Sequence, residues 1–127
     1  MDSDQQRSLI DRYLAAYNSF DIDGMMATIH PDVEFKNVSA GEVNATALGA
    51  EEFRRLAEQS QGLFSSRRQT VRAFESGKDE AVIEVAYEAV LAADLPNGMK
   101  AGETLRLDGR SEFAFRDGRI HQLTDYS

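Results

Sequence analysis

The sequence predicts an α+β domain in which three N-terminal helices pack on a strongly curved, mostly antiparallel sheet. Two observations predict it. Apolar residues recur at helical spacing through the first half of the chain, and the second half reads as strands separated by short turn signals, without the alternation that builds parallel βαβ units. The segment Met99 to Arg116 would also extend roughly 60 Å at ~3.3 Å per residue, much wider than a domain of this size, so it must bend. Gly102 and Gly109 are where a kink or bulge costs least. A curved sheet beside helices encloses a concave space, either filled or kept as a pocket. The whole chain, 127 residues, is expected to form one domain spanning residues 1–127.

Each element follows from local chemistry. Ser3-x-x-Gln6 reads as a capping box. Leu9, Ile10, Tyr13, Leu14, Tyr17 and Phe20 then line one helical face. Asp21 caps a short second helix with Ile22, Met25, Met26 and Ile29 inward, and His30-Pro31-Asp32 is expected to stop it. Val33, Phe35 and Asn37 alternate with Glu34 and Lys36 as a short strand, and Val38 to Leu48 reads as a loop. Gly49 to Gln61 is a third helix with Phe53, Leu56 and Ala57 inward, ended by Gly62. Strands follow at Gln69–Glu75, Glu80–Ala93, Glu103–Arg116 and Arg119–Tyr126, joined by turns at Ser76–Asp79, Pro96–Gly98 and Asp117-Gly118. Together they make an antiparallel meander.

Composition narrows the function. With 14 Lys+Arg against 22 Asp+Glu, the formal charge of −8 disfavours a nucleic-acid partner. No apolar run reaches the length of a membrane span, and the polar first residues do not resemble a signal peptide, so a cytoplasmic protein is expected. The absence of Cys removes disulfides, zinc thiolates and a cysteine nucleophile. His30 and His121 lack metal-ligand spacing, so no metal and no cofactor is expected; His30 reads as the last residue of a helix. Arg67, Arg68 and Arg72 read as a solvated basic edge. No phosphate-binding glycine loop or G-x-S-x-G elbow is present.

The element order resembles the NTF2-like superfamily, a cone-shaped α+β fold, and within it the SnoaL-like and ketosteroid-isomerase-like proteins. The resemblance rests on Arg12 to Gly24 with its D-x-D-G turn, on His30-Pro31-Asp32-Val33-Glu34-Phe35, and on Phe113-Ala114-Phe115-Arg116-Asp117-Gly118-Arg119-Ile120 followed by Asp125-Tyr126. It spans nearly the whole chain. This fold hosts isomerases, cyclases, epoxide hydrolases, dehydratases and non-enzymes, so it implies a cavity and a small-molecule ligand rather than one reaction.

Residue by residue, the resemblance places Tyr13 where steroid isomerases keep a helix-borne oxyanion donor. Their base falls on Asn37, whose amide cannot abstract a proton, and their protonated aspartate falls near Ser111. Steroid isomerisation by that mechanism is therefore rejected. SnoaL-like cyclases carry an acid/base aspartate on the last strand, which Asp125 matches. The expected catalytic residues are Asp125 and Tyr13. The expected pocket residues are Tyr17, Phe35, Asn37, Phe53, Glu84, Glu88, Ser111, Phe113 and Phe115. The ligand would be apolar and carbonyl-bearing, acted on by a cyclase, isomerase or lyase. Two alternatives stand beside this. One is a non-catalytic ligand-binding or assembly module. The other is an epoxide hydrolase in which Arg110, Glu112 and Asp125 converge on one water. A homodimer through the outer sheet face is also expected, because Ile83, Val85, Tyr87 and Leu91 look too many for three helices to cover.

Overall fold

A computed structural model describes residues 1–127. The elements run α1 (Ser3–Asn18), α2 (Ile22–Met26), β1 (Ile29–Ser39), β2 (Glu42–Leu48), α3 (Ala50–Gln61), β3 (Phe64–Ser76), β4 (Glu80–Leu91), β5 (Thr104–Arg116) and β6 (Arg119–Tyr126). The six strands form one open sheet in the order β2-β1-β6-β5-β4-β3. All neighbours are antiparallel except β1 and β6, which run parallel. The four-strand meander β3 to β6 is the one read from turn chemistry; α1 packs on its β3 strand, α3 packs on β1 and β2, and α2 lies against both helices.

Helix α1 opens with a reciprocal capping box one residue earlier than expected. Asp2 accepts from the Gln5 N–H at 2.8 Å, and Gln5 Oε1 accepts from the Asp2 N–H at 3.1 Å. The inward face of α1 buries Leu9, Ile10, Tyr13 and Leu14 as predicted. Each buried aliphatic side chain contributes roughly 1.5–3 kcal/mol. Phe20 is not on that face. It follows the Ser19 cap with φ 58°, the left-handed turn that ends the helix. Polar side chains fasten both ends of α1 to the sheet. Gln6 Nε2 donates to the Gly77 and Lys78 carbonyls at 2.9 and 3.2 Å, and Asn18 bonds both backbone groups of Gln69. Asp21 caps α2 by accepting from the Gly24 N–H at 2.9 Å. A Cβ at position 24 would lie 2.4 Å from the Asp21 carboxylate, which explains the glycine in that turn.

The structure corrects several expectations. His30-Pro31-Asp32 does not end a helix. It lies within β1, and the buried His30 ring accepts from the Asp32 N–H at 3.0 Å and faces the Asp117 carboxylate at 3.3 Å. The segment Val38 to Leu48 is the end of β1, a turn at Ala40-Gly41 with positive φ at both residues, and β2. Its polar composition hid a strand whose residues are mostly exposed. Gly102 lies in the loop before β5. No register shift occurs at Gly109, and the irregularities fall in β1, β3 and at the β5–β6 turn instead. Ile83, Val85 and Leu91 are covered by the inner layer and leave no apolar face exposed, so the stated reason for a dimer fails.

Gly109 still has a structural reason. A Cβ there would sit 2.9 Å from the Tyr126 carbonyl oxygen, so only glycine lets β6 approach β5 at that rung. Gly109→Ala is expected to lower stability by about 1–3 kcal/mol. Chemical denaturation would check this, and an unchanged midpoint would contradict it.

Candidate active site

The inner face of the sheet and the helices enclose a cavity of about 360 Å³, lined mainly by apolar side chains. That is the small end of the range for ligand sites, ~300–1,000 Å³. Phe35 from β1, Phe53 from α3, and Leu105 and Leu107 from β5 form apolar walls. Four polar side chains, one each from β6, β5, β1 and α1, give it chemistry: Asp125, Ser111, Asn37 and Tyr13.

Three of these share one rung. The parallel β1–β6 register sets Asn37 against Asp125, and the antiparallel β5–β6 register sets Ser111 against Asp125. Alternation puts residues two apart on one face, so Ser111 points inward with Phe113 and Phe115, and Asp125 with Leu123. Ser111 Oγ donates to Asp125 Oδ1 at 2.6 Å. No protein donor reaches Asp125 Oδ2. Asn37 Nδ2 donates to Asn44 Oδ1 at 2.8 Å, which ties the β1–β2 hairpin to this edge of the cavity.

Burial raises the Asp125 pKa to about 6, because the charged form loses solvation; the Ser111 hydrogen bond pulls the other way. The carboxylate is therefore ionised at neutral pH yet basic enough to hold a proton only slightly below it. Tyr13 is 4% exposed, and its hydroxyl makes no hydrogen bond within the chain although it borders the cavity. Burial first, and the negative Asp125 second, push its pKa well above the ordinary phenol value. It is a neutral donor at any physiological pH. Its ring packs between Phe53 and Phe113, with centroids 6.5 Å from each.

The expected site residues divide cleanly. Tyr13, Tyr17, Phe35, Asn37, Phe53, Ser111 and Asp125 all line the cavity. Phe113 and Phe115 do not. They are buried core residues beneath it, with stacked rings 6.2 Å apart. Glu84 and Glu88 do not either. They are exposed on the outer face, where Glu88 pairs with Arg106 at 3.2 Å. Strand parity allowed both faces, and both faces of β4 are partly apolar, so the sequence did not separate them. Arg110 borders the cavity but is opposite in parity to Ser111 and Asp125, and its guanidinium pairs at 3.2 Å with Glu112, which does not line the cavity. The convergence that epoxide hydrolysis needs is not formed.

Two residues were missed. Tyr87 lines the cavity, and its hydroxyl lies 2.9 Å from that of Tyr17. Arg67 is not a solvated edge residue. It is 4% exposed, its Nε donates to the Tyr17 carbonyl at 2.8 Å, and its guanidinium lies 3.7 Å from the Tyr17 ring centre. The signal for Tyr87 was its parity with Val85 and Ala89. For Arg67 there was no local signal, because a buried arginine and an exposed one read alike in sequence. No group of three or more His, Cys, Asp or Glu side chains is placed to hold a metal, and no helix is long and apolar enough to cross a membrane.

An open six-stranded sheet with three helices on its inner face and a mainly apolar cavity between them defines an NTF2-like α+β cone. The chain belongs to the SnoaL-like domain family, whose profile matches residues 10–123. No curated protein matches it in sequence. Among solved structures it is similar to TsrD from Streptomyces laurentii, at 20% identity and a TM-score of 0.81 over 98% of this chain and 89% of that one. It is similar to a candidate polyketide cyclase from Xanthomonas campestris pv. campestris, at 23% identity and 0.77 over 98% and 90%. It is also similar to IdmH, a candidate polyketide cyclase from Streptomyces antibioticus, at 16% identity and 0.78 over 94% and 88%.

The site predicts its own pH signature. The folded-state pKa of Asp125 is raised above the unfolded value of 3.8, so folding favours its protonated form. Its contribution is fully present below about pH 4 and is lost as pH rises through about 6. Asp125→Asn is therefore expected to stabilise the protein at pH 7.5 by up to about 3 kcal/mol, with the gain shrinking towards pH 4. Thermal melts of both proteins across this range would show it. A variant that is less stable at pH 7.5, with the same pH dependence as wild type, would contradict the placement of Asp125.

Proposed function

We propose that the cavity binds a small, apolar, carbonyl-bearing molecule, and that Asp125 acts on it as a general acid/base in a cyclase, isomerase or lyase reaction. The observation that carries this is the Asp125–Ser111 pair. It is a carboxylate with one oxygen tied down, one oxygen free, and a raised pKa, set in a mainly apolar cavity. Family membership supports the reaction class, and two of the similar structures carry the name of candidate polyketide cyclase.

In this reading Asp125 Oδ2 removes a proton from the carbon next to the ligand carbonyl. The electron pair of the broken C–H bond moves into the carbonyl, and the Tyr13 hydroxyl donates to the oxygen as its negative charge grows. Returning the proton to a different atom isomerises the ligand. Attack of the carbanion on a second carbonyl in the same molecule forms a C–C bond, and the proton held by Asp125 then neutralises the new alkoxide. Asn37 stands where steroid isomerases of this fold keep a base, and Asp125, one strand over on the same rung, would supply it instead.

A panel of aryl and alkyl ketones screened by thermal shift would find binders. A ligand at 100 times its dissociation constant adds about 2.7 kcal/mol to stability. Exchange of the ketone's α-hydrogens for solvent deuterium, followed by NMR, then tests the chemistry. Exchange should rise with pH through an apparent pKa of about 6. Asp125→Asn should slow it ~10²–10⁴-fold. Exchange that is unchanged in Asp125→Asn would remove the base.

We further propose that residues 1–127 act as a single domain and pair as a homodimer through the outer sheet face. There Arg68, Glu88 and Arg106 lie side by side on neighbouring strands, as alternating charges suited to a matching copy. Light scattering should give twice the 14.1 kDa chain mass, with dissociation promoted by salt. A monomer at every concentration and ionic strength would reject the pairing.

A further inference from the structure

The Tyr17–Tyr87 hydroxyl pair and the arginine behind it are not used by the reaction proposed above. Tyr17 comes from α1 and Tyr87 from β4, and both border the cavity. Tyr87 stands four residues along β4 from Ile83, which shares the rung of Ser111 and Asp125. That is roughly 13 Å along the sheet. The cavity therefore has a second polar pole, separate from the carboxylate.

Counting protons shows what this pole offers. Two hydroxyls 2.9 Å apart carry two protons, and their mutual bond uses one. The other has no acceptor in the protein. Arg67 flanks the pair. Its guanidinium lies over the Tyr17 ring at 3.7 Å and over the Phe20 ring at 4.5 Å. Tyr17 is the more deeply buried phenol of the pair, Tyr87 is the less deeply buried one, and the Arg67 charge eases both towards donation. Either hydroxyl can donate across the pair; with Tyr17 donating to Tyr87, the Tyr87 proton is the one left for the cavity.

Arg67 itself has no carboxylate partner, although the chain carries 22 Asp and Glu, and its buried Nη2 has no hydrogen-bond partner. An unpaired buried cation is costly. It lies against the Tyr17 and Phe20 rings and donates to the Tyr17 carbonyl, and its charge acts on the hydroxyl pair as well as on Tyr13.

We propose that Tyr87 is a ligand-binding residue that donates to a carbonyl oxygen of the ligand, with Tyr17 and Arg67 as positioning residues that direct and strengthen that donation. The ligand class this selects carries an oxygen acceptor remote from the carbon that meets Asp125. The inference rests on the cavity being the ligand site, but not on Asp125 acting as a base.

The test uses binding rather than turnover. The probes are 2-acetonaphthone and 2-isopropenylnaphthalene, which differ in replacing C=O by C=CH2. Wild type should bind the ketone about tenfold more tightly than the hydrocarbon, the worth of one strengthened hydrogen bond. Tyr87→Phe should abolish that preference while binding the hydrocarbon as wild type does, and Tyr17→Phe should reduce it. The infrared C=O stretch of the bound ketone should move to lower frequency in wild type and back towards its apolar-solvent value in Tyr87→Phe. Asp125→Asn should keep both the preference and the shift, so failure of the proposed chemistry and failure of this inference are separable. Arg67→Lys, which keeps the charge but not the planar stacking, should shrink the infrared shift. An absent preference in wild type would overturn the inference, as would a preference and shift retained in Tyr87→Phe or lost only in Tyr13→Phe.

Discussion

The site depends on how β6 is held. This strand is clamped between β1, running parallel, and β5, running antiparallel, and both registers meet at Asp125. A slip of one residue on either side would turn Asp125 out to solvent and bring Tyr126 or Thr124 inward. The clamp explains why a charged residue two positions from the last residue of the chain is not a frayed end. The Ser127 N–H bonds the Val38 carbonyl at 2.9 Å, and the Ala40 N–H bonds the Ser127 carbonyl at 3.2 Å, which extends the β1 pairing to the last residue. Gly109 completes the arrangement by letting the Tyr126 carbonyl close on β5.

With Asp125 fixed, the electrostatics of the cavity follow. Apolar walls from Phe35, Phe53, Leu105 and Leu107 remove solvent from the carboxylate and raise its pKa, while Ser111 holds one oxygen and limits the rise. The same walls keep the tyrosine hydroxyls neutral. A weakly basic carboxylate and neutral donors form a set suited to moving protons on a carbonyl compound. Burying Asp125 costs stability at neutral pH, which is the usual position of a residue retained for function.

Much of this was legible in the sequence, for identifiable reasons. Helix α1 announced itself through Leu9, Ile10, Tyr13 and Leu14, and the meander through Asp117-Gly118 and the other short turns. The rung of Asn37, Ser111 and Asp125 was assembled from three separate readings, none of which used their adjacency. What failed was what depends on tertiary context. The hairpin from Val38 to Leu48 carries too many polar and small residues to read as strand, because it sits at the sheet edge. Glu84 and Glu88 were misassigned because only packing decides which face of a two-sided strand is wet. Phe113 and Phe115 share the inner face with Ser111 but lie under α1, where the space is filled rather than open. Arg67 could not be recognised as buried, because the rings that cover it come from Tyr17 and Phe20, about fifty residues away.

The claim that organises the site is that Asp125 is a cavity carboxylate with a raised pKa. The most direct measurement is an NMR pH titration of its side-chain carboxyl carbon, assigned by comparison with Asp125→Asn. The structure predicts a midpoint near pH 6, moving higher in Ser111→Ala as the stabilising hydrogen bond is lost. A midpoint near 4, unmoved by Ser111→Ala, would place Asp125 in solvent and contradict the account.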